Sequence, residues 1–120
     1  MTIIVSIALA TICFTYSGTE DCYPVLLGKQ SSTPVGEYSL RKRITADAGY
    51  GGDVLQFHET ADAVYAIHRL WNLRPEQKRT ERLKSNKVSD RYISGGCINV
   101  DPEVYKKLMD CCTDQKLIIK

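Results

Sequence analysis

The chain reads as mainly β with a small helical component, and three observations predict that class. Ile3 to Tyr16 is rich in β-branched residues and runs into Ser17-Gly18, a two-residue step suited to a hairpin turn. Val64-Tyr65-Ala66-Ile67-His68-Arg69 alternates, with Val64, Ala66 and His68 on one face and Tyr65 and Ile67 on the other. Apolar residues recur at sustained helical spacing only after Asp101-Pro102. With 120 residues, 43% hydrophobic and 25% charged, the composition is that of one ordinary globular domain with material for a small core. The net charge of +2 points to no partner, and no apolar run is long enough to span a bilayer.

Taken in order, Ile3 to Tyr16 is expected to be the first strand. Its apolar start also has the look of an export signal, because Ala8-Leu9-Ala10 imitates a small-X-small cleavage site. The strand reading is preferred: no Lys or Arg precedes the run, and cutting after Ala10 would remove the strand's first half. Thr19 to Leu27 returns, in a register that sets Cys13 opposite Cys22. A cross-strand disulfide or, the plainer reading, two buried thiols would satisfy that pair. Gly28 to Pro34 is a loop, and Gly36 to Ile44 is again strand-like. Between Thr45 and Asp53 the run Gly49-Tyr50-Gly51-Gly52 is either a flap over a substrate or an exposed turn.

The stretch from Arg69 to Arg91 differs in character, with eight basic residues against three acids for a local charge of +5. Pro75 opens a polar, helix-forming run to about Leu83, so a short helix and a loop are expected there. Such a segment either attracts an anionic polymer or peptide carboxylate, or is a solvated cationic face. It lacks the aromatic interleaving of a nucleic-acid binder, and no nucleic-acid partner is expected. Asp101 can cap a helix whose first residue is Pro102 and whose packed face is Val104, Leu108, Met109 and Cys112; Lys116 to Lys120 makes a last strand.

Chemistry concentrates in Ser94-Gly95-Gly96-Cys97-Ile98-Asn99. Adjacent glycines allow a turn that would aim the amides of Gly96 and Cys97 at one spot beside the sulfur, as an acyl-transfer site needs. The base must come from elsewhere, and the chain has two histidines. His68, at the end of an apolar strand, is the candidate; His58 reads as a surface or structural histidine. Ser94 either shapes the turn or orients His68 or a substrate group, and Asn99 is expected to pin the loop. Tyr50, Tyr92 and Trp71 are candidates for lining a cleft, with core packing the other reading for the last two. Five cysteines leave at least one without a partner in the chain, and Cys13, Cys22, Cys111 and Cys112 are read as small buried hydrophobes. Neither a His-plus-Cys zinc spacing nor a CxxC pair is present, so no metal or cofactor is expected.

Together these residues resemble a family. Ile67-His68 followed by Ser94-X-Gly96-Cys97-Ile98-Asn99 resembles the signature of the L,D-transpeptidase catalytic domain of the YkuD type. Tyr23 to Lys29 followed by Ser32-Thr33-Pro34-Val35-Gly36-Glu37-Tyr38 resembles that family's strand-loop-strand, so the likeness runs from about Val5 to Leu117. Two positions depart: the family usually has histidine where this chain has Gly95, and glycine where it has Arg69. The connection from His68 to Ser94 is longer than usual, which marks residues 69–91 as a basic insertion in a single domain spanning 1–120.

The resemblance implies a β-sandwich or barrel-like fold and a cell-envelope or periplasmic setting. It implies that His68 takes the Cys97 proton, that the thiolate acylates on a peptidoglycan stem peptide with loss of a terminal D-alanine, and that amides around Gly96 and Cys97 hold the oxyanion. A second stem peptide would accept the acyl group, and carbapenems would acylate Cys97. Water as acceptor would make the site an L,D-carboxypeptidase. A non-catalytic peptidoglycan-binding domain and an effector aimed at a competitor's envelope are further alternatives.

Overall fold

Burial with a period of two builds the first sheet. The structure, a computed structural model, describes residues 2–120. In it β1 (Thr2–Ser6) and β2 (Thr11–Tyr16) turn Ile3, Val5, Ile12 and Phe14 inward, leaving every second residue on the outer face. The run expected as one strand is thus two antiparallel strands, with Val5 opposite Ile12. Residues 7–10 turn between them, with Ala10 in the left-handed region at φ 48°. Apolar composition concealed this turn because Ala10 is itself fully buried there.

Ser17 and Gly18 make the expected hairpin into β3 (Thr19–Pro24), and Cys13 stands opposite Cys22. The two are joined as a disulfide, which corrects the reading of buried thiols; Cys22 is exposed. The return strand ends at Pro24, and β4 (Leu27–Gly28) is a separate short strand. Gly36 to Ile44 also divides. Buried Leu40 separates β5 (Gly36–Ser39) from β6 (Arg41–Ile44), and the two halves join different sheets.

The remaining elements are β7 (Asp53–Glu59), β8 (Val64–Arg69), the short α1 (Arg79–Lys84), β9 (Tyr92–Ser94), β10 (Ile98–Val100), α2 (Pro102–Cys111) and β11 (Lys116–Ile119). Strands β3-β2-β1-β11-β5 form one sheet, β10-β8-β7-β6 a second, and β4-β9 a two-stranded ribbon; none closes into a barrel. The fold is mainly β with a small helical part, as expected.

One apolar cluster lies between the layers, drawing Ile3, Ile12 and Leu117 from the first sheet and Leu55, Ile67 and Ile98 from the second. Helix α2 closes it. The Asp101 carboxylate accepts the Glu103 N–H at 2.9 Å, Pro102 opens the helix, and Val104, Tyr105 and Leu108 are buried. Cys111 and Cys112, read as separate thiols, are disulfide-bonded to each other, which leaves Cys97 as the free cysteine. No helix among the described residues is long and apolar enough to cross a membrane.

Candidate active site

Cys97 ends a three-residue turn between β9 and β10, strands that belong to different layers. Strand β10 runs parallel to β8 with Asn99 beside His68, so the parallel ladder itself carries Cys97 to the histidine's face of β8. Cys97 and His68 line one cavity of about 150 Å³ with Tyr50, Val64 and Ala66. The predicted alternation of β8 therefore holds, with Ala66 and His68 towards the cavity and Ile67 in the core.

The turn is over-determined. Ser94 Oγ–H donates to the Cys97 carbonyl at 2.7 Å and accepts the Gly96 N–H at 3.1 Å. Ser94 thus shapes the turn, and the Gly96 amide is already taken, which corrects its expected part as an oxyanion donor. Gly96 has φ +131°, and a Cβ there would lie 2.6 Å from a ring carbon of Tyr65 and 2.9 Å from the Ser32 carbonyl oxygen. Thr33 ties the turn to β4: its buried hydroxyl accepts the Gly28 N–H at 2.8 Å and donates to the Gly96 carbonyl at 3.0 Å. Gly28 must stay small, since its Cβ would fall 2.9 Å from Gly96 Cα. Thr33 was legible only as part of the Thr-Pro motif, not as a support of the cysteine turn.

His68 is 2% exposed, and its Nδ1 lies 2.7 Å from the Arg69 carbonyl oxygen. A carbonyl only accepts, so Nδ1 carries the proton and Nε2 is left as the basic nitrogen. Burial pushes the ring's pKa down to about 4; the Arg69 carbonyl opposes that shift and the Arg79 cation reinforces it. Burial also pushes the Cys97 thiol up, against the Ala66 backbone and the Arg79 cation, which favour the thiolate. The resting pair is accordingly neutral thiol and neutral imidazole at physiological pH. The thiol's hydrogen bond goes to the Val64 carbonyl oxygen, at 3.7 Å.

A second cavity of about 230 Å³ shares Tyr50, His68 and Cys97 with the first and is otherwise lined by Trp71, Arg79, Ser94 and Gly95. Tyr50, from the glycine-rich loop, meets the His68 ring edge-on with centroids 4.8 Å apart, so that loop is part of the site rather than a free turn. Arg69 anchors it: the guanidinium donates to the Tyr50 carbonyl at 2.9 Å, pairs with Asp53 at 3.0 Å and stacks on Tyr105. Asn99, expected to pin the cysteine loop, instead holds the insertion, accepting at Oδ1 from the Trp71 N–H and from Arg79 Nη1. Tyr92 lies elsewhere. Its hydroxyl donates to the Ile7 carbonyl and it lines a different pocket, so it is not a cleft residue. His58 is half-buried against Tyr38 and Tyr65, a packing role. Arg79 went unrecognised because nothing in the sequence separates it from the other basic residues of 69–91.

No protein-family model matches this chain, and no curated protein matches it in sequence. Solved structures do. The L,D-transpeptidase 3 of Mycobacterium tuberculosis, in complex with a faropenem-derived adduct, superposes with a TM-score of 0.68 at 16% identity over 99% of this chain. The chain has the L,D-transpeptidase catalytic fold. An L,D-transpeptidase from Mycobacterium smegmatis (TM-score 0.62, 19% identity) and the helical cell shape determining protein Pgp2 of Campylobacter jejuni (0.61, 15%) also match over 99% of the chain. This chain spans 59%, 58% and 46% of the three structures' own lengths.

Proposed function

We propose that this chain is a cysteine-dependent L,D-transpeptidase of peptidoglycan, a single catalytic unit spanning residues 1–120 with 69–91 as an inserted basic connection. The observation that carries the reading is that Cys97 and His68 line one cavity, with Nδ1 of His68 held at the Arg69 carbonyl so that Nε2 is the nitrogen left to act as base. The fold shared with the faropenem-bearing mycobacterial enzyme supports it.

In the acylation step the Cys97 thiol swings from the Val64 carbonyl, gives its proton to His68 Nε2, and Sγ bonds to the carbonyl carbon of the third stem-peptide residue. The oxyanion is met by the Cys97 amide, since the Gly96 amide is held by Ser94. Collapse breaks the peptide C–N bond; D-alanine leaves with the proton from His68, and a thioester remains. An acceptor amine of a second stem peptide then loses its proton to His68, forms the new amide, and releases Sγ, which is reprotonated. The substrate places the chain's work in the cell envelope, periplasmic where there is an outer membrane. A carbapenem would acylate the same sulfur.

L,D-carboxypeptidation is the second reading, favoured by the open space at Gly95: no atom lies within 4 Å of where a Cβ would stand, which leaves water a route to the thioester. Incubation with a disaccharide-tetrapeptide separates them. D-alanine release with a cross-linked dimer, lost in Cys97→Ala and His68→Ala, supports transpeptidation; release without dimer supports the second reading. No turnover and no thioester, under conditions where another enzyme of this fold is active, would sink both.

A further inference from the structure

The cavity beside Gly95 holds a cation that the fold has prepared without giving it an anion. Arg79 Nε donates to Gln77 Oε1 at 2.8 Å, Nη1 donates to Asn99 Oδ1 at 3.0 Å, and the guanidinium lies 5.0 Å from the centre of the Trp71 ring. All three partners are neutral, and none of the ion pairs among the described residues includes Arg79. The cation of the other cavity, Arg43, is by contrast paired with Glu59 at 3.8 Å. Arg79 is half-buried and lines the same cavity as Cys97, so its charge, without an anionic partner, sits in the sulfur's own cleft. A planar fork held at two nitrogens and one face has its remaining edge free for a carboxylate.

We propose that the Trp71–Arg79–Gly95 lobe recognises the free α-carboxylate of the C-terminal amino acid that leaves when Cys97 is acylated. This rests on the transpeptidase reading. The departing residue's carboxylate is one residue beyond the scissile carbonyl, and the lobe is lined by Cys97 but by neither Val64 nor Ala66, which line the first cavity. The scissile peptide then lies across Cys97, with the acyl part in the cavity of Arg43, Thr45 and Val54 and the leaving amino acid against Arg79. Because acyl transfer runs through the same geometry in both directions, the incoming amine enters by this lobe too. A peptide longer by one residue would carry its carboxylate past Arg79, so the lobe also sets substrate length.

Trp71 is the chain's single tryptophan, and its emission reports on the lobe. In Cys97→Ala protein, which cannot turn over, an acyl-L-lysyl-D-alanine dipeptide and its C-terminal primary amide are titrated against that emission. The carboxylate is expected to bind about tenfold or more tightly than the amide, the discrimination a charge-assisted pair supplies. Arg79→Gln is expected to abolish the preference and Arg79→Lys to retain part of it, with circular dichroism showing both variants folded. Equal affinity for the two dipeptides, a preference that survives Arg79→Gln, or no binding of either overturns the proposal. A carboxylate preference without any thioester on the unmodified protein would overturn the enzyme reading and leave this lobe standing.

Discussion

Replacing Gly96 by alanine tests whether the cysteine turn is built as described. At φ +131° an L-residue costs about 1–2 kcal/mol in backbone strain. The added Cβ would stand 2.6 Å from Tyr65 Cε1 and 2.9 Å from the Ser32 oxygen, and overpacking of that kind costs about 1–3 kcal/mol more. Gly96→Ala is therefore expected to lose about 2–5 kcal/mol, which lowers Tm by roughly 8–20 °C in a domain of this size. The neighbouring Gly95→Ala is the control: its φ is ordinary, a Cβ there meets nothing within 4 Å, and the change should stay within about 0.5 kcal/mol. Urea unfolding followed by Trp71 emission reads both, and alkylation of Cys97 by iodoacetamide reads whether the turn has moved. Equal unfolding midpoints for the two variants would mean that Gly96 is not packed against Tyr65 and Ser32.

Stability should depend on pH through His68. Its folded pKa, about 4, lies below the ordinary 6.5, so the unfolded chain takes the proton first as pH falls. The stability tied to neutral His68 is full above about pH 6.5 and is lost towards about pH 4, some 3 kcal/mol in all. His68→Gln should flatten that slope in urea midpoints, and an unchanged slope would contradict it. Arg79→Ala removes a cation that favours the Cys97 thiolate, so the midpoint of the alkylation-against-pH curve should move up; no movement, or a fall, would contradict the coupling. Thr33→Val strips the Gly28 amide and the Gly96 carbonyl of a buried partner and should cost about 1–3 kcal/mol while slowing alkylation. Asp101→Ala should cost about 1 kcal/mol in thermal unfolding, with reactivity at Cys97 unchanged.

Where local chemistry decides structure, the sequence was legible. Asp101-Pro102 opened α2, Ser17-Gly18 turned the hairpin, and the alternation of β8 put His68 on the cavity face. Where the deciding contact is distant, it was not. The break at residues 7–10 is invisible in composition because Ala10 is as buried as the strand residues around it. Leu40 changes sheets because both layers share one core, which no local pattern records. Arg79 comes to line the cysteine's cavity through Gln77, Trp71 and Asn99, the last twenty residues further on. The Gly96 amide was assigned to the oxyanion from the glycine pair alone, and only the position of Ser94 Oγ shows that it is occupied.

Intact mass after exposure to imipenem, a carbapenem that acylates by opening its lactam ring, shows whether Cys97 is a nucleophile for acyl groups. Cys97 is the free cysteine, the other four being paired. A single adduct of the full carbapenem mass is expected, mapped to Cys97, absent in Cys97→Ala and formed far more slowly in His68→Ala. No adduct, or one that persists in Cys97→Ala, would contradict that role.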